Sequence, residues 1–492
     1  MPGFTLVDLL ATALSLLVFS FLYARRKQGK LPFPPGPKRL PVVGNLFDMP
    51  AGAEWTTYKR WGELYSSDIV HVDVLGTHIV ILNSVKAANE LLEKRSSLYS
   101  DRPTMKAFSS LISIDWSIAL EPYGTRWRGW RKSFHENLHP AAAHEYRPLE
   151  LKAARLLLRN LLETPEGFYE HLRHMTGRTI LSVAYGIDVK DHNDYYISLA
   201  KQALDVVAKA TEKGRLINLI PALIHFPSWF PGVGFKKEAA SWARSMNAIV
   251  EEPFAATKKA MVDRTAFFKQ SSSYIDVMQN ESSNGEFDAK AIASVLQSFV
   301  LAMVLYPEAQ RKAQEEIDSV VGTERLPDFS DEPSLPYVSA LCQEAQRWHP
   351  VAPLGIPHRL VSDDVYEGFF LPAGSMVIGN AWAMLHDEAV FPEPEKFKPE
   401  RFLDPGMRFP DAAFGFGRRT CPGRFMARSS LWIGIASILA AFEISPKLDN
   451  QGNPMLPEEK YDAGLISYPA QFACIVRPRT GNSGKLILNS LI

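Results

Sequence analysis

Apolar residues recur every three or four positions along most of the chain, a spacing typical of α-helices that bury one face. The pattern predicts helices over residues 87–94, 151–162, 168–184, 241–263, 307–321 and 335–347. Over 68–83 the period changes to two and Leu75-Gly76-Thr77 supplies a turn, which predicts a β-hairpin. After residue 350, short apolar runs alternate with prolines and predict short strands. We therefore expect a mainly α fold with a minor β portion.

Residues 4–23 differ from this pattern, because they form an apolar run that carries one charge, Asp8. At about 1.5 Å per residue, a helix of this length crosses a hydrocarbon core of about 30 Å. Basic residues follow the run, none precedes it, and the positive-inside rule then places the remainder in the cytoplasm. A cleaved signal peptide is the alternative, but it requires basic residues before the run and a small-residue cleavage site after it. We predict a membrane anchor over residues 1–24, a basic, proline-rich hinge over 25–45 and one large domain over 46–492.

The composition excludes several classes of protein. The 54 basic and 54 acidic residues balance, whereas a nucleic-acid-binding chain normally shows a basic excess, so no nucleic-acid partner is expected. With 46% hydrophobic and 22% charged residues the chain is an ordinary globular protein. Three cysteines in 492 residues are too few for a disulfide scaffold, so each thiol needs its own explanation.

Cys421 lies in the most informative stretch of the sequence, residues 414–423, which reads FGFGRRTCPG. Its glycines permit tight turns and the close approach of a flat ligand. Arg418 and Arg419 place positive charge near the sulfur, which favours a thiolate, and a thiolate is a suitable soft axial ligand for iron. The alternative is a buried cysteine that acts as a small hydrophobe, and we interpret Cys342 and Cys474 in that way.

This stretch resembles the haem-binding signature of the cytochrome P450 family at its defined positions, Phe414, Gly417, Arg419, Cys421 and Gly423. Further segments resemble the family in the same order along nearly the whole chain. They are the Glu-x-x-Arg pair Glu344 and Arg347, the motif Pro399-Glu400-Arg401-Phe402, and the Trp-x-x-x-Arg pair Trp127 and Arg131. The anchor and the proline hinge are similar to those of the microsomal, fungal-like branch.

The resemblance implies a P450-like fold whose catalytic domain, residues 46–492, binds haem b through the thiolate of Cys421. It implies a structural cluster of Glu344, Arg347 and Arg401 behind the thiolate loop, and haem propionates held by Arg102, Trp127, Arg131, His358 and Arg419. It further implies a monooxygenase that hydroxylates a lipophilic small molecule with O2 and electrons from NADPH–cytochrome P450 reductase, and secondary metabolism or xenobiotic breakdown is the expected context. The expected location is the endoplasmic reticulum membrane, with a single span and a cytoplasmic catalytic domain.

The sequence departs from the family in the helix that activates oxygen. That helix usually carries small residues followed by an acid and a threonine, which relay protons. The corresponding segment, residues 286–306, contains no glycine and no threonine, so we assign no catalytic residue. An internal loss of about 15 to 20 residues is the simplest interpretation, since a complete crossing helix is about 45 Å long.

Three explanations of this departure remain open. The first is that the chain arises from altered splicing or a mistaken gene model. The second is that it is a relay-independent haem-thiolate peroxygenase or isomerase, and the third is that it is a non-catalytic haem binder. Ser294 and Ser298 are poor replacements for the missing alcohol, because a serine on an apolar helix more often bonds its own backbone.

Overall fold

The computed structural model describes residues 31–103, 109, 112–213, 225–230, 233–234, 236–262, 285–462 and 464–490. The helices of this part of the chain are α1 Glu54–Leu64, α2 Val85–Ala88, α3 Ser96–Tyr99, α4 Thr125–Leu138, α5 Pro140–Glu145, α6 Arg147–Glu163, α7 Phe168–Tyr185, α8 Tyr195–Lys213, α9 Lys236–Val262, α10 Gly285–Leu305, α11 Pro307–Val320, α12 Pro336–Trp348, α13 Ala381–Leu385, α14 Arg424–Ala441 and α15 Ser483–Asn489. The predicted helices are confirmed within a few residues at each end. The prediction over 87–94 is confirmed in part, because α2 passes into a π-helix at Asn89–Lys94.

The strands are β1 Ile69–Val74, β2 Thr77–Leu82, β3 His358–Arg359, β4 Asp364–Tyr366, β5 Phe369–Leu371, β6 Met376–Gly379, β7 Phe442–Leu448, β8 Pro454–Met455 and β9 Cys474–Pro478. They form a four-stranded sheet in the order β1-β2-β6-β3, a two-stranded sheet β4-β5 and a three-stranded sheet β8-β7-β9. The predicted hairpin is confirmed as the antiparallel pair β1-β2. Its turn is shorter than predicted: Thr77 pairs with Val74, so Leu75 and Gly76 alone form the turn, with φ angles of 52° and 83°.

Helix α10 lies at the centre of the largest hydrophobic core. Every side chain from residue 292 to residue 304 is buried, which explains why this helix is apolar on all faces rather than along one stripe. It packs against α7, α12 and α14, and Leu296, Phe299 and Met303 belong to the shared core. Leu305 ends α10 and Pro307 begins α11, since a proline is readily accepted in the first turn of a helix.

The proline-rich segment after the expected anchor is docked on the domain. The ring of Phe33 stacks on His71, with centroids 4.7 Å apart, and Pro35 O accepts a hydrogen bond of 3.0 Å from the His71 backbone N–H. Pro32 O accepts a second bond, of 2.7 Å, from the backbone N–H of Phe370. From residue 31 onward, therefore, the expected hinge is part of the folded body.

The expected anchor over residues 1–24 lies outside the described residues. Within the residues that the structure describes, no single helix passes the length and hydropathy criteria for a membrane span. Lys290–Leu305 and Pro307–Val320 pass only as a pair, across a bend of 104°.

Candidate haem site

The loop that carries Cys421 is shaped by two glycines with positive φ angles. Gly415 and Gly417 have φ angles of 79° and 55°, which side-chain-bearing residues rarely adopt. The backbone N–H of Cys421 donates to Phe414 O at 2.8 Å and closes the loop on itself. Gly423 has an ordinary φ of −83° and immediately precedes α14, so its role is to begin that helix. The sequence prediction of a glycine-shaped turn is thus met at 415 and 417.

Charged groups that interact with the Cys421 sulfur come from two helices. Burial lowers the pKa of Arg131 on α4, and the charge of Cys421 opposes that shift. Burial likewise lowers the pKa of Arg428 on α14, where the Asp411 carboxylate and, more weakly, the Cys421 sulfur oppose it. Arg428 was missed in the sequence, although its place in the second turn of the helix that follows the Cys421 loop was a usable signal.

The two arginines of the signature itself bond to residues between 96 and 123. Arg418 hydrogen-bonds the Ser96 hydroxyl at 3.1 Å and the Tyr123 hydroxyl. Arg419 is buried, and its guanidinium carbon lies 4.4 Å from the centre of the Trp127 ring. Arg131 and Arg428 are therefore added to these two arginines as cationic groups that interact with the Cys421 sulfur.

Arg102 and Arg419 form the centre of a buried cationic cluster. Both guanidinium groups donate to uncharged backbone carbonyls, at 2.6 to 3.2 Å, on Ser100, Ile118, Ala119, Glu121, Ile356 and Pro357. Burial lowers the pKa of Arg419 to about 10, and burial together with the Arg419 charge lowers the pKa of Arg102 well below its usual range. Asp101 is the nearby carboxylate, and Arg359 already donates to it at 2.8 Å.

His358 belongs to the same cluster and is neutral. Its Nδ1–H donates to Tyr99 O at 2.7 Å, since a carbonyl oxygen can only accept, so Nε2 carries the lone pair. Burial, then the charge of Arg102, holds the pKa of His358 well below its ordinary value. His358 can consequently donate to an anion through Nε2 only after it gains a proton.

These features fit a haem with its two carboxylates. The structure brings the predicted residues Arg102, His358, Trp127 and Arg419 together, and Arg131 interacts with both Arg419 and Cys421. Buried positive charge that is bonded to neutral carbonyls is stabilised by added carboxylates. The hydroxyl of Ser100 is also buried with no hydrogen-bond partner among the described residues. A half-buried cysteine thus interacts with Arg131, which in turn interacts with a cluster whose two central guanidinium groups bond neutral carbonyls.

Glu344 lies within hydrogen-bonding distance of both arginines of the predicted structural cluster, Arg347 and Arg401. Arg347 donates to both carboxylate oxygens of Glu344, from Nε at 2.7 Å and from Nη2 at 2.9 Å, and both side chains are fully buried. Arg401 Nε lies 3.2 Å from the same carboxylate, and the backbone N–H of Lys398 donates to it at 2.8 Å. Arg347 also donates to Leu385 O at 3.0 Å, so the cluster ties α12 to the segments around residues 385–401.

Ser294 is a buried polar residue on the central helix α10, and its hydroxyl has a partner outside that helix. The Ser294 hydroxyl donates to Ser467 O at 2.8 Å, which corrects the expectation that this serine bonds its own helix. That bond fixes the hydroxyl to a neighbouring segment rather than leaving it available for proton transfer. Lys290, near the start of α10, lies 5.0 Å from the centre of the Tyr468 ring.

The other two cysteines are structural, as predicted, and none of the three forms a disulfide. Cys342 is buried in the main core and Cys474 packs against that core. Burial raises the pKa of both thiols, that of Cys474 to about 12, so both remain protonated at neutral pH.

Comparison with known proteins gives one consistent result. The family model for cytochrome P450 matches residues 34–473. A cytochrome P450 monooxygenase of Armillaria gallica is 40% identical over 491 residues, covering 95% of this chain and 96% of that protein. The monooxygenase ple1 of Rhodocybe pseudopiperita is 38% identical, with coverage of 94% and 92%, and the monooxygenase COX2 of Coprinopsis cinerea is 40% identical, with coverage of 93% and 91%. With its thiolate loop, cationic cluster and buried Glu-Arg-Arg cluster, the chain therefore belongs to the cytochrome P450 family of haem-thiolate enzymes.

Proposed function

We propose that this chain is a membrane-anchored monooxygenase that hydroxylates a lipophilic small molecule, with haem b held by Cys421 as the axial thiolate. The observation that carries the proposal is the convergence of the Cys421 loop with the Arg102–Arg419 cluster. When bound, the haem supplies the oxygen-activating and oxidising chemistry.

The chain's own residues perform the remaining tasks. Arg131 and Arg428 stabilise negative charge on the Cys421 sulfur. Arg102 and Arg419 orient the cofactor through its carboxylates, because a guanidinium fork matches a carboxylate in geometry and charge. The indole N–H of Trp127 and the protonated form of His358 are further donors in the same proposal.

The expected redox partner is NADPH–cytochrome P450 reductase. Helix α4, which contributes Arg131 beside the sulfur, also presents exposed cationic side chains at Arg126, Arg128 and Lys132. An acidic partner surface would be attracted to this face and would approach the cofactor from the thiolate side.

Endoplasmic reticulum attachment through residues 1–24 is part of the proposal, as is a cytoplasmic catalytic domain. Exposed apolar side chains support contact with a membrane: Phe47 is 77% exposed and Trp229 is 76% exposed, and Phe226 lies near Trp229 in sequence. The sequence leaves two interpretations of the apolar segment 217–235 open, a membrane-contacting entry route for a lipophilic substrate and a loop packed on the core, and most of the segment lies outside the described residues.

A second candidate function is a haem-thiolate protein that does not run the full oxygenase cycle, either a non-catalytic haem binder or a peroxygenase or isomerase. The observation that favours it is the central helix, where residues 286–305 contain neither glycine nor threonine and the Ser294 hydroxyl is bonded to Ser467 O.

Two measurements test these candidates. The first is the absorption spectrum of the reduced protein with bound carbon monoxide: a thiolate-type Soret band supports the cofactor assignment, and a folded, colourless protein contradicts it. The second adds reductase, NADPH and O2 to a panel of lipophilic substrates. Hydroxylated product supports the monooxygenase, whereas bound haem without product supports the second candidate. Sequencing the transcript across codons 291–295 tests whether the short helix is genuine.

A further inference from the structure

Glu150 is a fully buried carboxylate that none of the tasks above requires. It lies in the first turn of α6, and its two oxygens accept hydrogen bonds from the hydroxyls of Ser429, at 2.5 Å, and Ser430, at 2.6 Å. Both serines belong to α14, which begins three residues after Cys421. The carboxylate therefore joins α6 to the helix that carries the proposed haem ligand.

The charges around Glu150 leave its ionisation finely balanced. Burial raises the pKa of Glu150 to about 7, against the lowering effect of the two serine hydroxyls and of Arg147 on its own helix, while Glu332 raises it further. Arg147 does not neutralise the group directly, because its guanidinium donates to Glu332 at 2.8 Å. The α6 N-terminus favours the ionised form.

The two protonation states hold α14 differently. An ionised carboxylate accepts from both serine hydroxyls, in short, charge-assisted bonds. A protonated carboxyl carries no charge and one of its oxygens becomes a donor, so both bonds accepted from the serines are weakened. Ser429 lies about 8 Å along α14 from the residue at which the helix begins. Because a helix of this length moves as a unit, a change in the hydrogen bonds at Ser429 can shift the Cys421 loop that precedes the helix.

We propose that Glu150 is a positioning residue: its ionised form holds α14, and with it the Cys421 loop, in the orientation that supports thiolate ligation, and protonation relaxes that hold. This inference rests on the proposed function, since it assumes that Cys421 ligates a haem. It adds a residue that acts through α14 and does not itself touch the cofactor.

The test is the reduced, carbon monoxide-bound spectrum of the full-length holoprotein, recorded across about two pH units on either side of neutrality. In the wild type the thiolate-type fraction falls on acidification, with a midpoint near the Glu150 pKa of about 7. Glu150→Gln is neutral throughout, so its spectrum loses this transition and stays at the level that the wild type reaches in acid. Glu163→Gln, at the exposed end of the same helix, is the matched control and follows the wild type.

The double variant Ser429→Ala/Ser430→Ala gives an independent measurement if Glu150→Gln does not fold. Removing both hydroxyls removes the bonds through which the carboxylate holds α14, so the pH transition is lost and the spectrum stays at the level that the wild type reaches in acid. The inference is overturned if either Glu150→Gln or the double variant keeps the wild-type transition. A wild-type protein that shows no thiolate band at any pH contradicts the proposed function itself, which is a distinguishable result.

Discussion

Gly417 lies directly against the backbone of Leu92, and a Cβ atom built on this glycine would be 2.0 Å from the Leu92 carbonyl oxygen. Leu92 belongs to the π-helix Asn89–Lys94, so the Cys421 loop packs against a segment that is far away in sequence. Gly417 is therefore required for two reasons: its φ angle is positive, and there is no space for a side chain.

Gly417→Ala is expected to displace the loop and abolish haem retention, because the blocking atom is backbone and cannot rotate away. Gly76→Ala is the matched control: its φ angle is also positive, at 83°, but nothing lies within 4 Å of the added Cβ. The control should lose about 1 kcal/mol of unfolding free energy from backbone strain alone. Haem content after gel filtration and thermal unfolding separate the two variants, and equal behaviour would contradict the contact argument.

Cys421→Ser should remove the thiolate-type Soret band of the reduced, carbon monoxide-bound protein, since a serine hydroxyl is not a soft anionic ligand. Cys474→Ser is the control, because that thiol lies away from the signature loop and is expected to leave the band in place. A Cys421→Ser protein with an unchanged band would refute the assignment of the axial ligand.

Glu344→Gln removes the charge that two buried arginines share, and the expected loss of unfolding free energy is about 3 to 5 kcal/mol. The chain contains a matched pair with the same i,i+3 spacing on its surface, Glu308 and Arg311, joined at 2.7 Å. Glu308→Gln should leave the unfolding free energy nearly unchanged, because solvent screens exposed pairs. Urea denaturation measures both variants, and similar losses would show that burial is not the deciding factor.

Ser294→Ala tests whether this hydroxyl takes part in proton transfer. Because the hydroxyl is bonded to Ser467 O, we expect a loss of about 1 kcal/mol of stability and no change in product formed per NADPH consumed. The measurement is coupling efficiency with reductase and a turned-over substrate, beside a denaturation curve. A drop in coupling at unchanged stability would instead assign the serine to a proton relay.

Buried neutral histidines should make the fold sensitive to acid. Burial, then the charge of Arg347, lowers the pKa of His386 from 6.5 to about 2, so the unfolded chain binds a proton that the folded chain does not. The stability contributed by His386 is complete above pH 6.5 and is lost progressively as the pH falls below it.

In His386→Asn the side-chain amide N–H takes the place of the Nδ1–H that donates to Trp382 O, and the side chain no longer titrates. Between pH 6.5 and 4.5 its unfolding free energy should fall less steeply than that of the wild type, by up to about 1.4 kcal/mol per pH unit. The exposed His192→Asn serves as control, and an identical slope in His386→Asn and wild type would contradict the prediction.

The sequence alone was sufficient for the elements whose signal is local. The period-two alternation of β1 and β2, the helical spacing of α6, α7 and α12 and the residues of the Cys421 signature are all encoded by neighbouring positions. The Glu344–Arg347 contact was also predictable, because residues three apart lie on one face of a helix. Family resemblance added Arg401, which no local rule connects to them.

What only the tertiary structure decided is the direction in which long side chains point and what they meet there. Arg418 and Arg419 are adjacent to the cysteine in sequence, yet both turn to segments near residues 96–123, while Arg131 and Arg428 interact with the sulfur. The bonds of Ser294 and Glu150 join helices distant in sequence. Such contacts depend on how whole elements pack, because a buried polar group must take whichever partner the packing places within reach.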